Sequence, residues 1–224
     1  MPLGYCGKIL HVNLTTGEFF VEEPDDKFYR KYVGGSLLGS YYVTKMTKPG
    51  FEALSPENVL VFAASPVIGA PISGASRFNV TAKSPLTGTM GDSQGGGYWG
   101  PELKEAGFDA IVLTGRSPQP VYLYIKNGEY RLVDAAHLWG KTTGDAWLQL
   151  KEELGDDQVR IALIGPAGEN LVKFACITNE LKHFNGRNGL GAVMGSKNLK
   201  AIAVRGTQKL QFHDRAKILE LAKY

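Results

Sequence analysis

Residues 58–69 read NVLVFAASPVIG, and residues 158–169 read QVRIALIGPAGE. Each is a continuous apolar run ending in a small residue and a proline, the pattern of a buried strand that stops at a turn. Further along, GFDAIVLTG at 107–115 has a counterpart in NLKAIAVRG at 198–206. Two matched pairs in the same order indicate an internal duplication, with one copy in about residues 1–115 and the other in about 116–206. Between the matched strands lie GDSQGGGYWG at 91–100 in the first copy and HFNGRNGLGAVMG at 183–195 in the second. The glycine loops therefore correspond. They are either two sides of one ligand cradle or two duplicated turns that need glycine only for close packing.

Outward from these runs, GKILHVNL, the turn TTGE and EFFVEE predict an N-terminal hairpin with Gly17 in its turn. Asp25 or Asp26 is placed to cap a helix through Tyr32 that Gly34 and Gly35 stop, and LLGSYYVTKM restarts at helical spacing. RFNVTAK predicts a strand, Pro101 the first turn of a short helix ending at Gly107, and DAIVLTG another strand. VYLYIKNGEYRLVDA predicts a hairpin, with Asn127 and Gly128 supplying a type I′ turn. Thr142 or Thr143 caps DAWLQLKEELG, and VRIALIG and VKFACIT predict two further strands.

At 224 residues, with 43% hydrophobic and 21% charged residues, the chain is long enough for a substantial core. A net charge of +3 without a Lys/Arg block argues against nucleic acid. The most apolar stretch, Val59 to Ala64, is too short to span a bilayer, and the N-terminus lacks a basic region before an apolar one. The expectation is a cytoplasmic protein with no membrane partner. Cys6 and Cys176 are far apart and form no C-x-x-C pattern, so two buried thiols are expected rather than a disulfide or a cluster.

Glycine amides can converge on an anion, and a helix beginning near Pro101 adds the positive end of its dipole. Arg77 and Arg187 either add bidentate charge to the same anion or make surface ion pairs. Residues 95–100, GGGYWG, also satisfy G-x-G-x-x-G, which allows a Rossmann-like NAD(P) domain as an alternative. The run follows polar GDSQ rather than a hydrophobic strand, which counts against that alternative. Asp92 either bonds a polar heterocycle or caps a turn, while Glu102, Glu105, Glu152 and Glu153 read as solvated helix faces. The four histidines form no zinc spacing, and only His183 borders a glycine loop. No catalytic constellation stands out.

SRFNVTAKSPLTG, GGYWGPELKEAGFDAIVLTG, IGPAGENLVKFA and NGRNGLGAVMGSKNLKAIAV together resemble the N-terminal domain of the aldehyde ferredoxin oxidoreductases, tungsten or molybdenum enzymes. The resemblance runs from the first hairpin to about Gly206. It implies an α+β fold, a duplicated unit of two mainly antiparallel or mixed β-sheets with short flanking helices, on which a bis-molybdopterin cofactor of tungsten or molybdenum sits. It further implies that Arg77, Gly96, His183, Gly186 and Arg187 contact the cofactor. Gln94 and Phe184 fall where the family uses main-chain carbonyls on a Mg2+ bridging the pterin phosphates. The family pattern has asparagine at Gln94 and arginine at His183, so a charge beside the phosphates is altered here.

In the family, the [4Fe–4S] cysteines and the catalytic acid–base residues lie in later domains. Residues 1–206 are thus expected to be the cofactor-cradling domain and 207–224 the start of a truncated following helix. The missing C-terminal domains, ferredoxin and a homodimer are the partners the resemblance brings, and no catalytic residue is expected in this chain. The isolated chain is expected to be inactive in aldehyde oxidation. A non-catalytic interaction module with the same fold is the remaining alternative.

Overall fold

The computed structural model describes residues 3–223. The first half contains β1 (Ile9–Asn13), β2 (Glu18–Glu22), α1 (Asp26–Tyr32), α2 (Gly35–Met46), β3 (Leu60–Ala63), β4 (Phe78–Lys83), β5 (Met90–Gly95), α3 (Trp99–Glu105) and β6 (Ala110–Thr114). The second contains β7 (Val121–Lys126), β8 (Glu129–Asp134), a 3₁₀ turn at Ala136–Leu138, α4 (Thr143–Leu154), β9 (Arg160–Leu163), α5 (Pro166–Glu169), β10 (Ile177–Asn179), β11 (His183–Asn185), α6 (Leu190–Ser196) and β12 (Leu199–Arg205). A last helix, α7 (Arg215–Leu221), follows.

Local chemistry explains most of these boundaries. Asn13 Oδ1 accepts from the amides of Thr15 and Thr16, and Gly17 turns the first hairpin at φ 73°. Asp25 caps α1 by accepting from Phe28 N at 2.9 Å, and Thr142 caps α4 through Asp145 N at 3.2 Å. Gly155, left-handed at φ 62°, closes α4. Asn127 and Gly128 both have positive φ, as a type I′ turn requires.

The strands form two six-stranded mixed sheets, ordered β2-β1-β6-β3-β4-β5 and β8-β7-β12-β9-β10-β11. Each strand of one sheet has its counterpart at the same place in the other. The parallel pairs match as well: β1 with β6 in the first sheet and β7 with β12 in the second. The α+β duplicated unit is therefore two lobes of one topology. These sheets do not have the parallel order of a nucleotide-binding Rossmann fold, and Gly95 ends an antiparallel edge strand rather than a central parallel one. That alternative is overturned.

Alternation along the strands builds three cores. Leu60, Phe62, Ile111 and Leu113 face the second sheet, where Leu123, Ile125, Ile202 and Val204 answer them. Val61, Ala63 and Val112 point the other way, beneath Leu38 and Tyr42 of α2, while Tyr122, Ile161 and Ala203 lie beneath α4. Both sides of the central strands are thus buried, which is why they read as unbroken apolar runs. The helices that follow β5 and β11 cross the seam: α3 packs on β9 and β12, and α6 packs on β4 as well as β12. Trp99, fully buried, donates from Nε1 to Ile202 O at 3.0 Å.

Several local expectations are corrected. The helix expected from Pro101 starts at Trp99, two residues earlier. Of VKFACIT only Ile177 and Thr178 are in a strand. The preceding residues stay irregular because α6 packs on their carbonyls, with a Cβ on Gly189 or Gly191 meeting Lys173 O or Cys176 O at 1.8 or 2.4 Å. Glu102 is not on a solvated face. It is 7% exposed and accepts from Arg205 Nη1 at 3.0 Å and Gly206 N at 2.8 Å. The cysteines are unpaired but only partly buried, and burial together with Asp109 pushes the Cys6 thiol up to about 12.

Candidate functional site

The expected glycine loop of residues 91–100 is half strand. Residues Met90–Gly95 form β5, the outer strand of the first sheet, and only Gly96 to Tyr98 turn into α3. On one face of β5, Asp92 is consumed by its own lobe: Ser36 Oγ donates to it at 2.9 Å and Asn79 Nδ2 at 2.8 Å, with Thr81 Oγ1 at 3.3 Å. Asp92 therefore caps no turn: it lies within β5, and its carboxylate ties that strand to Ser36, Asn79 and Thr81. Ser93 and the glycines at 91 and 95 are on the opposite face, toward the second lobe.

The glycines divide into two kinds. A Cβ on Gly91 would lie 2.8 Å from Asn188 Cβ, one on Gly95 2.7 Å from Asn185 Oδ1, and one on Gly97 2.4 Å from Asn179 Oδ1. These three are small because the other lobe occupies the space. Gly96 differs: its nearest neighbour would be His183 Nδ1 at 3.4 Å. At Gly186 the nearest atom would be Phe184 Cβ at 3.8 Å. Room therefore remains over the backbone at Gly96 and Gly186, while packing explains the rest of the run.

Sheet register shows why these positions go together. Ala63 pairs with Asn79, which pairs with Gln94; in the other lobe Leu163 pairs with Thr178, which pairs with Phe184. Gln94 and Phe184 are equivalent, and two residues onward so are Gly96 and Gly186. The expected loop at 183–195 resolves accordingly into β11, a turn at residues 186–189 and α6. The two outer strands β5 and β11 pack against each other, so the equivalent positions meet at the seam.

All seven expected site residues fall in this one region. Gln94, His183, Phe184, Gly186 and Arg187 are exposed, and Gly96 is half-buried. Arg77 is also exposed and stands just before Phe78, the partner of Gly95, with Ser76 Oγ near Gly96. Among the described residues, Arg77 and Arg187 form no ion pair with a carboxylate, so the expectation of surface ion pairs is not met. Beneath the turn, fully buried Asn179 has neither amide atom bonded, and Asn185 Oδ1 is also unpartnered. Open backbone at two glycines and, among the described residues, two guanidiniums without a carboxylate partner fit an anionic ligand.

Sequence reading missed the residues that join the lobes. Asn185 Nδ2 donates to Ser93 O at 2.8 Å, Asn188 Nδ2 to Asp92 O at 2.8 Å, and Arg187 N to Ser93 Oγ at 3.1 Å. The string NGRNG holds both asparagines, but nothing in it says that their partners lie in the other copy. Among the described residues no three His, Cys, Asp or Glu side chains gather as a metal site.

Residues 9–206 match the family model described as "Aldehyde ferredoxin oxidoreductase, N-terminal domain". The chain is 47% identical over 216 residues to the tungsten-containing aldehyde ferredoxin oxidoreductase of Pyrococcus furiosus, covering 96% of this chain and 36% of that protein. It is 32% identical to an aliphatic sulfonate oxidoreductase, WOR-like subunit, from the same organism, covering 98% of this chain and 37% of that one. Among solved structures, the active site complex BamBC of benzoyl coenzyme A reductase with 1,5-dienoyl-CoA superposes with a TM-score of 0.95 at 39% identity. It covers 100% of this chain and 34% of that one. The chain thus spans about a third of the length of these relatives, and within that third it belongs to the aldehyde ferredoxin oxidoreductase family, as the N-terminal domain.

Proposed function

We propose that residues 1–206 are the cradle for a bis-molybdopterin cofactor of tungsten or molybdenum, and that 207–224 begin the element leading into later domains. One observation carries the reading: Gln94 and Phe184 are register-equivalent residues on two outer strands that meet at a seam, and Gly96 and Gly186 open the turn just after each strand. In this role the main-chain carbonyls of Gln94 and Phe184 would be ligands of a Mg2+ that neutralises the cofactor's phosphates. Gly96 and Gly186 let the ligand approach the main chain, and Arg77 and Arg187 balance its charge. His183, beside Gly96, gives the site an imidazole where the family pattern has arginine.

The bound group supplies two-electron redox chemistry at its metal. This chain binds and orients it. In the whole protein the reaction would convert an aldehyde and water to a carboxylate and three protons, the two electrons going to ferredoxin, with a [4Fe–4S] cluster in later domains supplying the electron transfer. The setting is the cytoplasm, and a homodimer is the assembly expected from the family. The chain alone oxidises no aldehyde.

A second reading is favoured by the 39% identity to the benzoyl-CoA reductase complex across the whole chain. The same cradle then serves a reductase acting on an aromatic thioester. Assays of the full-length protein separate the two. Aldehyde-dependent ferredoxin reduction supports the first reading, and oxidation of 1,5-dienoyl-CoA without aldehyde activity supports the second. A full-length protein that folds but carries neither metal nor pterin contradicts both and leaves an interaction module.

A further inference from the structure

The two lobes are copies, yet their meeting edges are not. Where the second lobe has Asn185, the first has Gly95 at the equivalent register position, and Gly95 provides the space Asn185 fills. Asn185, fully buried, donates across the seam to Ser93 O, and Asn188 donates to Asp92 O. Gly91 leaves room for Asn188, which is held left-handed at φ 66° while Ser84 Oγ donates to its carbonyl at 2.8 Å. Asparagine tolerates that backbone better than most residues. The two asparagine bonds run from the second lobe's side chains to the first lobe's main chain, and they bracket the seam: Asn185 follows Phe184, and Ser93 precedes Gln94.

We propose that Asn185 and Asn188 form a clasp whose task is to fix the spacing of β5 and β11, and so the separation of the Gln94 and Phe184 carbonyls. They are positioning residues that touch neither cation nor cofactor. A side chain bonded to main chain holds the neighbouring peptide in place without depending on what the neighbour's own side chain is. The spacing therefore survives the glutamine and phenylalanine found at the two positions. This inference rests on the reading of those carbonyls as Mg2+ ligands.

The test uses the full-length holoprotein and Mg2+ itself. Asn188→Gly keeps the left-handed backbone and removes one bond; Asn185→Ala removes the other. Magnesium is counted after EDTA challenge, and the Mg2+ concentration that half-restores it is measured alongside the melting temperature. The clasp predicts that each variant needs about tenfold more Mg2+, with the Asn188→Gly melting temperature within a few degrees of wild type. Should Asn185→Ala fail to fold, Asn188→Gly decides alone. Wild-type Mg2+ retention in the variants, with or without a lowered melting temperature, overturns the clasp. A wild-type holoprotein that holds cofactor but no Mg2+ overturns the carbonyl-ligand reading instead.

Discussion

Glu102 on α3 and Arg205 at the end of β12 meet across the two lobes, Nη1 to Oε1 at 3.0 Å. Arg205 also reaches Asp156 at 3.1 Å, and Arg160 lies 4.0 Å from the other oxygen of Glu102 while pairing with Glu180 at 2.9 Å. Glu102 is thus the carboxylate that joins the first lobe to cations of the second. Glu102→Ala leaves Arg205 with Asp156 and Gln158 but leaves the buried Gly206 amide without its acceptor, at a cost of about 1–3 kcal/mol. Urea denaturation of the chain measures it, and a loss under about 0.5 kcal/mol would assign this pair to the ordinary surface kind.

Lys197 gives a pH signature. It is fully buried at the end of α6, donating to Gly115 O at 3.0 Å and Pro56 O at 3.4 Å, with no carboxylate partner among the described residues. Burial first, and the nearby Arg116 second, lower its value from 10.5 to about 7. Between those two values the unfolded chain holds the proton and the folded chain does not, so stability rises with pH across this window and is lowest below about 7. Lys197→Met removes this contribution. Denaturation midpoints at pH 6 and pH 9 should differ less in the variant than in wild type, and equal differences would contradict a lysine depressed by burial.

The two kinds of glycine predict opposite phenotypes. Gly95→Ala puts a methyl 2.7 Å from Asn185 Oδ1, so it should destabilise the chain by about 1–3 kcal/mol. Gly96→Ala meets nothing closer than 3.4 Å and should leave stability within about 0.5 kcal/mol of wild type. In the full-length protein the same Gly96 change should lower cofactor content, because its methyl stands where the ligand approaches. Thermal melts and metal analysis of both variants check the division.

Much of the fold was legible because its signals are local. Strands apolar on both faces, such as Leu60–Ala63 and Ile161–Leu163, read as unbroken runs, and their repeated order gave the duplication. Capping residues Asp25 and Thr142 and the turn at Asn127 and Gly128 carried their own chemistry. What failed was set by contact between lobes. GDSQG reads as loop by composition, yet its main chain pairs with β4 and its glycines make room for asparagines about ninety residues away. Glu102 has the spacing of a solvated helix face and is buried only because β12 of the second copy covers it. At the site, the resemblance supplied the residues and the register supplied the reason they meet.

The most direct measurement is the tungsten, molybdenum and pterin content of the full-length protein beside its Arg77→Gln/Arg187→Gln variant. On the proposed role the variant would lose two charge-assisted contacts to phosphate, each worth about 1.5–3 kcal/mol. Both side chains are exposed, so the fold has no need of them. The account predicts metal and pterin in the wild type and at least a tenfold lower content in a variant that melts at the same temperature. Equal cofactor content in the two proteins would contradict a seam built to grip that ligand.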